Sequence, residues 1–174
     1  MPSIHRSPSG NKRVLYLAAP IDLFFTPSGV PSPMYQAALR ATKTRFPELK
    51  IFESAPEFDD TPDSLFQIVW PDLLPRIHTL VVVPRLDGSI GAGCVVSALD
   101  FASVQLYGAP VPLAHPGRVR LANVANLYVW EAGSLTPLRW LSPILNGPPS
   151  RLALVGSGGD VPHMAPRRAE AVAP

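Results

Sequence analysis

The sequence predicts an α/β domain built on a doubly wound, mostly parallel sheet of about five strands flanked by helices. Three observations carry the expectation. Short apolar runs alternate with segments of helical period. Thr79 to Val83 is continuously apolar or β-branched, as in a strand covered on both faces. The segments between the runs are long enough for crossover helices, the mark of βαβ units.

The elements follow in order. Arg13 to Ala19 (RVLYLAA) reads as a buried strand that stops at Pro20. Ser32 to Phe46 places Met34, Ala38, Ala41 and Phe46 near one helical face before Pro47 ends it. Leu49 to Ser54 alternates as a strand. Thr61 is a good N-cap with Pro62 at the first helical position and Asp63 in the first turn, opening a helix through Phe66, Val69 and Leu73 that Pro71 kinks or splits. Thr79 to Val83 is the next strand, Cys94 to Tyr107 one helix, and Ala109 to Ala114 and Leu127 to Glu131 two further strands. The arrangement is flavodoxin/Rossmann-like, so a ligand belongs beyond the carboxyl ends of the strands, at Ala18–Phe25 and Pro84–Gly93. Residues 1–11 read as a polar tail, 12–145 as the single domain, and 146–174 as a Pro/Gly-rich tail with room for one edge strand at 151–156.

Composition narrows the class. With 47% apolar residues in 174, the chain can build one core. Twenty-two prolines and 12 glycines exclude a long coiled coil. One cysteine, Cys94, makes no intramolecular disulfide, and four histidines beside it show no paired zinc spacing; no metal and no cofactor are expected. The net charge of +2 comes from the ends, the middle being slightly acidic, which gives no nucleic-acid footprint. Val14 to Phe25 is interrupted by Pro20 and Asp22 and reads as a strand rather than an export signal, and no run reaches the length of a membrane helix. The expectation is a soluble, cytoplasmic protein with no membrane partner.

The segment Leu80 to Pro112 holds a buried strand, a Gly-rich loop, a helix and a Gly-x-Pro turn. Gly88, Gly91 and Gly93 let backbone approach a ligand, and the amides opening the helix favour an anion or a sugar hydroxyl. Neither G-x-G-x-x-G nor a P-loop is present. The opening Leu15-Tyr16-Leu17-Ala18-Ala19-Pro20, with Phe24 after it, and the stretch Val81 to Val111 resemble nucleoside 2-deoxyribosyltransferases and their relatives, over roughly residues 14 to 114. The resemblance implies a compact, oligomeric α/β domain that binds a nucleoside or nucleotide between the first and third strand ends and cleaves or transfers an N-glycosidic bond.

The family's catalytic glutamate is missing: no Glu lies between Asp60 and Glu131. Counting back from Gly108 reaches Asp100, and counting forward from Gly91-Ala92-Gly93 reaches Val95 or Ser97. An aspartate can attack an anomeric carbon as glutamate does, though its carboxylate is one methylene shorter. Asp100 is thus either the nucleophile or a mid-helix charge on a solvated face. Tyr16 is either a core tyrosine or, by the resemblance, the hydroxyl that orients the carboxylate.

Asp87 and Ser89 offer turn chemistry or a sugar contact, and Asp22, Phe24 and Phe25 a core lid or a platform for a base. With Ala19, Pro20, Gly91, Gly93 and Ser97 they complete the expected substrate site. Glu53, Glu57, Asp59 and Asp60 read as a solvated acidic stretch, Cys94 as a small packing residue at a helix start, and Asn123 and Asn126 as loose matches to asparagines that contact substrate in the family. G-x-S-x-G is absent and no histidine neighbours a candidate nucleophile, which speaks against a Ser or Cys hydrolase. Three readings stay open: an N-glycosidic transferase or hydrolase, a catalytically empty sensor or protein-interaction module on the same fold, and an unrelated flavodoxin-like binding protein that would retain a flavin.

Overall fold

Five consecutive buried residues, Val14–Ala18, form β1, the axis of the molecule. The computed structural model describes residues 14–57, 63–110, 119–144 and 151–158. The strand's period of two divides the core. Val14, Tyr16 and Ala18 pack on one face, while Leu15 and Leu17 pack with Ala19 on the other. A strand with no solvated side can only be central.

β1 pairs in parallel with β2 (Lys50–Glu53) and with β3 (Ile77–Val82), and β3 pairs in parallel with β6 (Leu127–Glu131). A fifth strand, β7 (Ser134–Pro137), returns antiparallel to β6, giving the order β2-β1-β3-β6-β7. Ala132 (φ 49°) and Gly133 (φ 81°) both take left-handed backbone in the two-residue turn, the geometry that matches strand twist in tight hairpins.

Helices cover both faces, so the fold is the doubly wound α/β arrangement expected. On the Leu15 side sit α1 (Ile21–Phe24), α2 (Pro33–Arg45) and α3 (Ser54–Glu57). The Ser32 hydroxyl accepts a hydrogen bond from the Tyr35 amide at 3.1 Å and Pro33 opens the first turn, which fixes where α2 begins. At its other end Arg45 lies over the Tyr128 ring at 4.5 Å and donates to the Leu135 carbonyl at 2.8 Å, locking α2 onto β6 and β7. On the Tyr16 side sit α4 (Asp63–Leu73) and α5 (Ala92–Tyr107). Pro71 falls in the last turn of α4 and the chain tightens to a 3-10 turn at Leu74–Arg76, so the expected break comes at the helix end. Gly108, at φ 77°, terminates α5 in the left-handed conformation. The N-cap expected at Thr61 and most of the strand expected at Ala109–Ala114 lie outside the described residues.

A second sheet was not anticipated. β4 (Ser89–Ile90), β5 (Val119–Arg120), β8 (Trp140–Pro143) and β9 (Ala153–Gly156) pair antiparallel in the order β4-β9-β8-β5. Residues 151–156 therefore supply an inner strand where an edge strand in a tail was expected, and the packed part of the chain runs past Leu145. Ile90, Leu121, Leu141, Ala153 and Val155 join the same core as Tyr16 and Leu80, burying the inner side of the second sheet against the first. Among the described residues no helix is long and apolar enough to cross a membrane.

Candidate ligand site at the carboxyl edge

β1 delivers Ala19 and Pro20 to the carboxyl edge of the sheet, both buried. The Ala19 amide donates to the Ser54 hydroxyl at 3.2 Å, and Pro20 opens α1, which carries Asp22. β3 delivers the loop from Pro84. Arg85 reaches back across the edge and grips Asp22 with both arms of its guanidinium, Nε to Oδ2 at 2.8 Å and an η nitrogen to Oδ1 at 2.5 Å. These bonds hold the Asp22 carboxyl below its ordinary range.

The loop beyond Arg85 is equally committed. Asp87 Oδ1 accepts from the Ser89 amide at 3.0 Å and from its hydroxyl at 2.5 Å, and Oδ2 meets Arg151 at 3.1 Å. Burial raises the carboxyl of Asp87, but the bonds from Ser89 and the charges of Arg151 and Arg85 outweigh it and leave the group lowered. Gly88, at φ 79°, makes the turn, and its carbonyl accepts from the Val155 amide at 3.1 Å. Asp87 and Ser89 thus perform turn chemistry, and Ser89 belongs to β4. Gly91 caps α5, and Gly93 in its first turn is exposed with open space beside its α-carbon.

Tyr16 and Asp100 are not partners. The Tyr16 hydroxyl accepts from Ser97 Oγ at 3.3 Å, with the Ser54 hydroxyl and Cys94 also beside it. Asp100 Oδ2 instead accepts from Trp70 Nε1 at 2.8 Å. The Trp70 indole stands edge-on to the Tyr16 ring at 5.1 Å, and Phe52 stacks on Tyr16 at 5.7 Å. Of the two ways of counting to the family's carboxylate, the forward one lands on the residue that meets Tyr16, and that residue is Ser97. Tyr16 is only 1% exposed and burial pushes its hydroxyl far above the usual range, so it stays protonated. Burial likewise pushes the Cys94 thiol up to about 12, the behaviour of a packing residue despite its place in the first turn of α5.

The remaining candidates scatter. Phe24 packs edge-on against Tyr35 at 5.4 Å as part of the core, while Phe25 is exposed. Glu53 accepts from the Tyr35 hydroxyl at 2.7 Å, Glu57 ends α3 in solvent, and Asp59 and Asp60 lie outside the described residues. Asn123 and Asn126 stand at the amino end of β6, the opposite end of the sheet from Asp22 and Asp87. Among the described residues no three His, Cys, Asp or Glu come together as a metal site.

A cleft of about 430 Å³ opens one strand over from the expected crevice, between the loop after β3 and the β6–β7 hairpin. Pro84–Gly88 and Val129–Gly133 form its sides, Trp140, Leu154 and Val155 of the second sheet its back, and Met34 one corner. Its size falls within the roughly 300–1,000 Å³ of small-ligand sites. Arg85, Trp130, Glu131 and Trp140 were missed in sequence; the general rule about carboxyl ends, applied to β6 as well as β1 and β3, would have found Trp130 and Glu131. No protein-family model, no curated protein and no solved structure matches the chain, so the likeness to deoxyribosyltransferases rests on the residues quoted for it.

Proposed function

We propose that this domain is a binding module for a nucleoside or nucleotide, held at the carboxyl edge of the parallel sheet without turnover of the glycosidic bond. The observation that supports it is the hydroxyl pair Tyr16–Ser97. Where the resembled family needs a carboxylate beside the tyrosine there is a serine with no ionisable group, closed from solvent. A hydroxyl there can neither stabilise an oxocarbenium ion by charge nor form the glycosyl ester that a carboxylate forms.

One observation favours the catalytic reading. Asp100 is half-buried and held by the Trp70 indole through Oδ2, the kind of oriented carboxylate that attack on an anomeric carbon requires. The two readings separate by mass spectrometry of the purified chain with a panel of nucleosides and nucleotides and a free acceptor base. The binding reading expects thermal stabilisation by some of these compounds with no base released or exchanged. Exchange or hydrolysis abolished by Asp100→Ala and retained in Asp100→Glu overturns it in favour of an aspartate nucleophile.

A further inference from the structure

Charge at the cleft narrows the ligand further. Three of its lining residues ionise: Arg85, Asp87 and Glu131. Arg85 is neutralised by the bidentate pair with Asp22, and Asp87 by Arg151. Among the described residues Glu131 receives only neutral donors, the Ser157 amide at 3.3 Å and the Ser157 hydroxyl, both on Oε2. Among the described residues the cleft therefore keeps one uncompensated negative charge and presents side-chain oxygens that only accept. A phosphate entering it would meet a like charge and two guanidinium groups already held by carboxylates. A planar ring bearing an amino group would find the opposite: an acceptor in the Glu131 carboxylate and apolar lining from Met34, Val129 and the largely buried Trp130 and Trp140.

We propose that this cleft, rather than the crevice between β1 and β3, holds the ligand, and that it selects an amino-bearing nucleobase as the free nucleoside over its phosphorylated forms, with Glu131 accepting from the exocyclic amine. This rests on the nucleoside-or-nucleotide reading above and decides between its two halves. The specificity comes from a mismatch. A carbonyl in place of the amine points a lone pair at the Glu131 carboxylate.

The test is calorimetric titration of the whole chain at low ionic strength with adenosine, inosine, cytidine, uridine and adenosine 5′-monophosphate. Adenosine or cytidine is expected to bind at least about tenfold more tightly than its carbonyl counterpart, and adenosine more tightly than its monophosphate. Glu131→Gln keeps an acceptor for Ser157 and can turn its amide to a carbonyl, so it should erase or reverse the preference of adenosine over inosine. Leu86 is 95% exposed, so Leu86→Lys will not disturb folding and, by adding a cation to the cleft wall, should narrow or reverse the preference of adenosine over its monophosphate. A monophosphate that binds as well as adenosine, or inosine as well as adenosine, overturns the inference and leaves the broader binding reading standing. No binding by any of the five compounds overturns both.

Discussion

Trp140 on β8 stands directly opposite Gly156 on β9, and the indole lies across the glycine where a side chain would otherwise project. A methyl group built on Gly156 would sit 2.7 Å from Cζ2, 3.0 Å from Cε2 and 3.3 Å from Nε1 of that ring. The backbone conformation of Gly156 is open to any residue, so space alone decides the outcome. Trp140 is 5% exposed and cannot swing into solvent, so Gly156→Ala must displace a packed ring. Overpacking of this kind costs about 1–3 kcal/mol, against a gain of about 0.5–1 kcal/mol from replacing a strand glycine by alanine. At mid-range values the net is a loss of about 1 kcal/mol, or roughly 2–4 °C in Tm for a chain of this length. Thermal and urea unfolding followed by far-UV circular dichroism measure it. Trp140→Phe, which shortens the ring, should recover most of the loss when combined with Gly156→Ala. Gly156→Ala as stable as the parent would refute the packing, and with it the back wall of the cleft.

Other outcomes follow from the same structure. Gly93→Ala, in α5 with open space at its α-carbon, should stabilise by about 0.5–1 kcal/mol in the same unfolding experiment. Trp70→Phe removes the donor to half-buried Asp100 and should cost about 1–2 kcal/mol, with Asp100→Asn, which keeps an acceptor, costing less. Stability should fall as pH rises above about 9. Cys94 stays protonated in the fold up to about 12 while the unfolded chain ionises near the thiol's ordinary 9.0, and Tyr16 and Tyr35 add the same sign above their ordinary 10.0. Urea titrations at pH 8 to 11 should show the slope weakened by Cys94→Ala and by Tyr16→Phe; a flat profile would contradict the burial of these groups. At the acid end the lowered carboxyls of Asp22 and Asp87 stabilise the fold above about pH 4 and lose that contribution below it. Arg85→Lys, which cannot reproduce the two-armed grip on Asp22, should speed hydrogen exchange in α1 without changing it in β1.

The parallel sheet was legible because its strands announce themselves. Thr79 to Val83 is too apolar to face water, Leu127 to Glu131 is found as expected, and Pro20, Pro47 and Gly108 mark real boundaries. The second sheet was hidden for physical reasons. Its strands are two to four residues long, Pro143 stands at the end of β8 where it reads as a breaker, and its pairings join Ser89 to Leu154 and Arg120 to Trp140 across sequence gaps that no local period spans. The glycines from 88 to 93 looked like a ligand cradle, yet Ser89 and Ile90 between them are a strand.

Counting residues along a helix placed Asp100 and Ser97 within one turn of each other, but only packing reveals that Trp70 takes Asp100 and leaves Ser97 to Tyr16. The cleft escaped notice because its walls come from five separate stretches of chain, and a pocket has no sequence of its own.

The claim that a ligand sits at the carboxyl edge is tested most directly by hydrogen-exchange mass spectrometry of the chain with and without a saturating nucleoside. Exchange should slow in residues 84–88 and 129–134, on the two sides of the cleft, with residues 122–126 at the opposite end of the sheet unchanged. Protection confined to residues 122–126, or spread evenly over both ends, would contradict it.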